Sequence, residues 1–377
     1  MKISISKLVS TALTTGAALL LAAPGQAQFG PQNVPTMRGD GPPPTAEPFR
    51  IERVDPALDA LIAPDAQLVE IARGFGINEG VTWVPDGDAG YVLVSGLIDN
   101  VVYKVAADGQ ITSFIEKAGF SGDNPSNTGF QTRAGRAHVL LIGPSCTGLD
   151  SQGRILWCAV NDNNLMRLER DGTRTIIAGP GADGDKHLLG PNDITVLRDD
   201  TIYIATNQFG FRNAQVPDGF AESGIWRLKD GKLSLALSSR ELGAAPNGIT
   251  VSPDEKHIYL SAMFKLVRYD IQPDGTLANR TQLGEGDGII DGMKVDMLGN
   301  IYSTSGAGPG VVRISAPDGK VLGYLRLPID ASEPKRQICA TNVAFGGTDN
   351  KTLFIAGCDA VYSVQMRVPG IAQGPRP

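Results

Sequence analysis

Basic charge, long apolar runs, histidine and paired cysteine motifs are all scarce in this sequence, and each scarcity excludes something. Lys and Arg total 34 against 40 Asp and Glu, a net charge of −6, so nothing draws the chain to nucleic acid. The four cysteines form no C-x-x-C pair, which argues against zinc-ribbon or thioredoxin-like chemistry. The three histidines, His138, His187 and His257, lie far apart with no metal-ligand spacing. Gly143-Pro144-Ser145-Cys146-Thr147-Gly148 misses the G-x-S-x-G elbow by one residue and precedes a strand rather than a helix. Gly74 to Gly80 (GFGINEG) opens no βαβ unit and so is not a dinucleotide fingerprint.

The single extended apolar run, Leu8 to Ala23, follows Lys2 and Lys7 and ends at the small-x-small site Gly25-Gln26-Ala27. It reads as a secretory signal peptide over residues 1–27, too short to anchor as a membrane span. The expectation is an exported protein, periplasmic or secreted. Residues 28–48, rich in Pro and Gly, have little to bury and read as a flexible linker.

What the remainder holds is repetition. A small or polar residue, an apolar strand, an Asp/Gly-rich turn and a second strand ending in small residues recur six times, opening at Glu79, Ser145, Asn192, Asn247, Asp291 and Thr341. The copies are about 52 residues apart, in the range of propeller blades. Turn signals divide the first copy into four strands, Val81–Val84, Tyr91–Ser95, Val101–Val105 and Ile111–Ile115, whereas the last has three before the chain turns Pro/Gly-rich. An unpartnered strand-like segment, Gln67 to Ala72, precedes the first copy and could complete the last, removing the open edges. The fold expected is an all-β, six-bladed β-propeller over residues 49–368, closed by an N-terminal strand, with a tail at 369–377. A β-sandwich would explain neither the six copies nor the short last one.

Equivalent positions of successive blades surround a central channel. All six opening residues carry side-chain oxygen, and four of them, Glu79, Asn192, Asn247 and Asp291, form a set with carboxylate and amide oxygens and no imidazole or thiolate. Such a set suits one hard divalent cation, calcium first, with magnesium, manganese, zinc and iron(II) as other candidates. For any single position the competing reading is an ordinary turn residue.

At these residues the sequence resembles the gluconolactonase and regucalcin (senescence marker protein) family. The likeness starts at VDPALDALIAPDAQLVEIARGF from Val54 and runs through INEGVTW, GPNDITV, APNGITVSPDEKHIYLS, DGMKVDMLGNIYSTSGAG and TNVAFGG. The resemblance implies that Glu79, Asn192, Asn247 and Asp291 hold the metal, and that the chain hydrolyses sugar lactones, opening an aldonolactone to the aldonic acid. Relatives such as diisopropyl fluorophosphatase act on phosphotriesters, and a non-enzymatic propeller stiffened by calcium is the alternative from another class. The departures fall where substrate would sit: Val81 replaces proline, Thr206 an acidic residue and Gly96 an Asp.

Lactone hydrolysis needs a polarised carbonyl, an activated water and a place for the oxyanion. Asp291 is the candidate general base, with direct attack by its carboxylate as the other mechanism. Ser145, His187 and Asn207 are candidates to line the pocket. A small-molecule substrate and a monomer are expected. Cys146 and Cys158 flank the turn at Ser151-Gln152-Gly153 symmetrically, and Cys339 and Cys358 flank the turn at Gly347 to Asn350. Residues so placed face each other across antiparallel strands, within disulfide reach. The competing reading is four buried thiols.

Overall fold

The computed structural model describes residues 45–374, apart from 88, 124–129, 135–136, 181, 183–187, 208–221, 287, 307–309 and 333–338, and it describes residues 130–140 by backbone only. Six antiparallel sheets follow one another around a ring. Blade 1 comprises Asn78–Asp86, Ala89–Gly96, Val101–Val105 and Ile111–Glu116; blade 2 comprises Thr147–Leu149, Ile155–Ala159, Asn164–Leu168 and Arg174–Ala178. Blade 3 is Pro191–Val196, Ile202–Thr206, Gly224–Lys229 and Lys232–Ser238, and blade 4 is Pro246–Val251, His257–Ala262, Lys265–Ile271 and Leu277–Glu285. Blade 5 is Ile290–Val295, Ile301–Ser305, Val311–Ser315 and Val321–Arg326, and blade 6 is Asn342–Gly346, Thr352–Gly357 and Ala360–Gln365.

The short sixth copy is completed as its pattern suggested. Leu68–Arg73 pairs antiparallel with Ala360–Gln365 and becomes the outer strand of blade 6. The entering chain also does something the repeat pattern did not show: Arg50–Arg53 pairs with Val321–Arg326 and gives blade 5 a fifth strand. Pairing begins still earlier, at a bridge between Glu47 and Ile329. A further hairpin, Phe130–Ala134 with Ala137–Leu141, is inserted between blades 1 and 2.

The Asp-rich turns have a local cause. In blade 2, Oδ1 of Asp150 accepts the N–H groups of Gln152 and Arg154 at 3.0 and 2.9 Å, and Gly153 takes φ +74°. Blade 5 repeats this device with Asp296, Leu298, Asn300 and Gly299 (φ +87°). The carboxylate substitutes for a strand partner over the turn, and glycine supplies the left-handed conformation.

The core is divided into layers between blades. Tyr203, Ile225, Ile249, Leu260 and Val267 fill the layer between blades 3 and 4, and Val81, Val92, Tyr103, Ala344 and Phe354 fill that between blades 6 and 1. There Trp83 stacks on Phe354, with centroids 5.5 Å apart. Each such buried side chain contributes about 1.5–3 kcal/mol, so the ring is held by every neighbouring pair rather than by a central core.

Innermost strands meet in cyclic order, blade 1 touching both blade 2 and blade 6. Each runs away from the residue that opens its copy, so those residues share one mouth of the channel. Beyond Met366 the chain crosses the opposite end. Gly370 bridges Asp296, the Ile371 amide donates to the Val295 carbonyl at 3.3 Å, and Ile371 to Gln373 line a cavity of about 30 Å³ with Thr195, Thr250 and Lys294. Both cysteine pairs are disulfides, Cys146–Cys158 and Cys339–Cys358, with Cα separations of 5.0 and 5.5 Å.

Candidate metal centre

The innermost strands treat their opening residues in two ways. In blades 1, 3, 4 and 5 the pairing with the second strand slips, between Asn78 and Val81, Pro191 and Asp193, Pro246 and Ile249, and Ile290 and Met293. Glu79, Asn192, Asn247 and Asp291 lie inside those slips. A bulge leaves its extra residue unpaired and re-aims its side chain. Blade 6 pairs without a slip from Asn342 to Gly346, and blade 2 from Thr147 to Leu149.

The residue after each bulged position shows why the chain can bend there. A Cβ on Gly80 would collide with the backbone of Ser145 and Cys146, one on Gly248 with the Asp291 carbonyl, and one on Gly292 with the Asn342 side chain. Neighbouring blades approach too closely for any side chain at these points. Blade 3 carries Asp193 instead, whose carboxylate accepts the N–H of Ile194 at 2.9 Å and of Ile249 in the next blade at 3.2 Å. Ser261 supports the blade 4 bulge, its hydroxyl accepting the amides of Asn247 and Gly248 at 3.2 and 2.9 Å. Gly306 makes room for the Asp291 carboxylate, because a Cβ there would occupy the place of Oδ2.

The four side chains form one row: Asn192 Nδ2 donates to Asn247 Oδ1, with Glu79 beside Asn192 and Asp291 beside Asn247. Glu79 and Asn192 are buried, whereas Asn247 and Asp291 are only partly so. The row therefore opens toward solvent at the Asn247–Asp291 end. Burial pushes the Asp291 carboxyl up to about 8, with the Asp193 charge adding to it. Glu79 is also raised well above the carboxylate range, by burial first and then by the charges of Asp291 and Asp193.

Two carboxyls whose ionisation burial and neighbouring negative charge oppose, next to two amide oxygens, are what a divalent cation would relieve. Among the described residues no three of His, Cys, Asp and Glu gather as a metal cage. This row differs by drawing half its oxygens from amides. Its residues fit a hard cation: Glu79 and Asp291 would balance the charge, and Asn192 and Asn247 would supply neutral oxygens.

Ser145 and Thr341 sit at the same mouth with another task. The Ser145 hydroxyl donates to the Pro191 carbonyl at 3.1 Å, and its carbonyl accepts Gly80 N–H at 2.7 Å and the Ser95 hydroxyl at 2.6 Å. Thr341 mirrors it, its hydroxyl donating to the Asn78 carbonyl at 3.0 Å and its carbonyl accepting Gly292 N–H at 2.8 Å. Both sew neighbouring blades together. Asn207 is buried at the end of the second strand of blade 3, its amide donating to the Pro246 carbonyl at 3.3 Å. His187 lies outside the described residues. His257 is held by Asp270 at 2.8 Å, away from the mouth. Sequence reasoning missed Asp193, Ser261 and Gly306; the only trace of the last two was the small residues ending each second strand.

Six blades with an oxygen-lined cage at one mouth define the class, a β-propeller built around a candidate hard-cation site. Within that class, the SMP-30/Gluconolactonase/LRE-like region matches residues 143–358, more than half of the chain, and the chain belongs to this family. It is 26% identical over 338 residues to a gluconolactonase of Zymomonas mobilis, covering 85% of this chain and 87% of that one. It is also 27% identical to a 6-deoxy-6-sulfogluconolactonase of Pseudomonas putida, over 58% of this chain and 89% of the relative. Among solved structures, a gluconolactonase from Xanthomonas campestris superposes with a TM-score of 0.67 at 24% identity, covering 87% of this chain and 99% of that one. The calcium-binding regucalcin of Agrobacterium tumefaciens gives a TM-score of 0.57 at 17% identity, covering 87% and 97%. These two likenesses concern the fold.

Proposed function

We propose that the chain is a metal-dependent lactonase that opens the lactone of an aldonic acid. The observation that carries the reading is the placing of Glu79, Asn192, Asn247 and Asp291 in four separate bulges that converge on one mouth. The gluconolactonase relatives supply the substrate class. A divalent cation held there, calcium first on the donor set, would draw electron density from the lactone carbonyl and accommodate the developing oxyanion. Asp291, at the open end of the row, takes the proton of the attacking water and returns it to the departing ring oxygen. Lactone and water thus become the hydroxy acid with no net proton change. Glu79, buried behind it, remains a charge-balancing ligand. Asp193 ties blades 3 and 4 together beneath the site and adds negative charge close by.

The two disulfides suit an oxidising compartment, and with the signal-peptide reading of residues 1–27 they favour export and a substrate formed outside the cytoplasm. The test is a panel of δ-lactones and phosphotriesters assayed with and without chelator, in wild type and Asp291→Ala. The expected result is chelator-sensitive lactone turnover that falls about 10²–10⁴-fold in the variant, with the fold retained by circular dichroism. Full activity in Asp291→Ala would remove it from the mechanism, and turnover indifferent to chelator would remove the metal.

A further inference from the structure

The turn joining the second and third strands of blade 4 stands at the mouth beside two of the four cage residues. Pro246 is paired with Ala262, so the turn begins level with Asn247. The Met263 carbonyl accepts the Ile290 N–H at 2.8 Å, one residue before Asp291. Met263 and Phe264 are nevertheless 41% and 51% exposed, which forgoes the stabilisation that burial of such side chains brings. Turn chemistry does not account for them. Met263 has φ +58°, and of the ten described non-glycine residues with positive φ, six are Asn or Asp, which tolerate that conformation far better.

Next to the turn lies an open cavity of about 480 Å³, lined by the apolar Leu242, Ala262, Met263 and Phe264 and by the charged Glu241, Lys265 and Arg280. That is the size of a small-molecule pocket. The lining combines an aromatic ring and aliphatic side chains with charged groups of both signs. A sugar ring matches it: its C–H faces suit the electron-rich face of Phe264, and its hydroxyls can accept from lysine and arginine. A plain alkyl chain would leave the cations unused.

We propose that this cavity is a second-ring subsite, so that the chain takes lactones of oxidised disaccharides, with the lactone ring at the cage and the attached sugar against Phe264. The proposal rests on the lactonase reading for its first ring and on the cavity for its second. The experiment compares cellobiono-δ-lactone with glucono-δ-lactone in wild type, Phe264→Ala, Phe264→Trp and, as a control at the far end of the channel, Leu298→Ala. The expected wild-type kcat/KM favours the disaccharide lactone. Phe264→Ala lowers that preference about tenfold, chiefly through KM, while Phe264→Trp keeps it and Leu298→Ala leaves it at the wild-type value. Independently of turnover, the indole emission of Phe264→Trp, corrected for the wild-type response, shifts on titration with cellobiose and not with glucose. A preference unchanged in Phe264→Ala overturns the subsite, as does a wild-type preference for an alkyl-substituted δ-lactone over the disaccharide lactone. If no lactone is hydrolysed, the lactonase reading falls; the emission shift then upholds the second-ring site and a silent titration overturns it.

Discussion

Blades 2 and 6 flank blade 1, and they handle the channel mouth differently from the other four. Blades 1, 3, 4 and 5 slip register and turn an oxygen ligand inward. Blades 2 and 6 keep register, place a hydroxyl where the ligand would be, and carry a disulfide within two residues of it, at Cys146 and Cys339. One group of blades sacrifices ladder hydrogen bonds to aim side chains, and the other stitches the ring beside it. Blade 1, which contributes the more buried of the two candidate ligand carboxylates, is held on both sides by a stitched neighbour. Its Gly80 amide donates to Ser145 and its Asn78 carbonyl accepts from Thr341. The comparison suggests that Glu79 is positioned by its neighbours as much as by its own strand.

The sharpest way to break the aiming blades is to fill the space they depend on. Gly306→Val puts carbon where Oδ2 of Asp291 lies, and the expected outcome is a loss of cation affinity of at least a hundredfold by calorimetry, with the thermal midpoint lowered less than by loss of a core side chain. Unaltered affinity would mean that the Asp291 carboxylate is not a ligand.

The stitched blades should respond in stability instead. Replacing Cys146 and Cys158 together by Ala opens a short loop and should cost about 2–3 kcal/mol, read as a lower denaturant midpoint with cation affinity within about threefold of wild type. A drop in affinity as large as that of Gly306→Val would erase the distinction between the two groups of blades. The smallest expected effect is that of Ser145→Ala. It removes one hydroxyl bonded to the Pro191 carbonyl and should cost about 1 kcal/mol, without changing kcat on a lactone. A selective rise in KM would show instead that Ser145 touches substrate.

Much of this plan was legible in the sequence, because blade repeats write the same strand pattern six times and the opening residues align with it. The disulfide pairs were legible for a related reason: two cysteines equidistant from a turn face each other in any antiparallel hairpin. The bulges were not. A period-2 pattern reports which face a residue takes but not whether a partner strand skips it, and so the division of the mouth into four and two rested on side-chain chemistry and family likeness. Asp193 was hidden inside what reads as one Pro-Asn-Asp turn, although its carboxylate spans two blades. The fifth strand of blade 5 starts at the edge of a Pro/Gly-rich stretch, where neither composition nor alternation marks it. The final stretch, from Pro369 to Gly374, has no strand pattern, and its position is set by bonds to turns far away in sequence, such as that of Gly370 N–H to the Asn350 carbonyl at 2.9 Å.

That final stretch gives the propeller two unlike ends. Ile371 to Gln373 lie at the end remote from the cage, so that among the described residues one end presents side-chain oxygens and the other a length of returning chain. On the proposed lactonase reading, lactone and acid would both pass Asn247 and Asp291, the end of the row that opens to solvent.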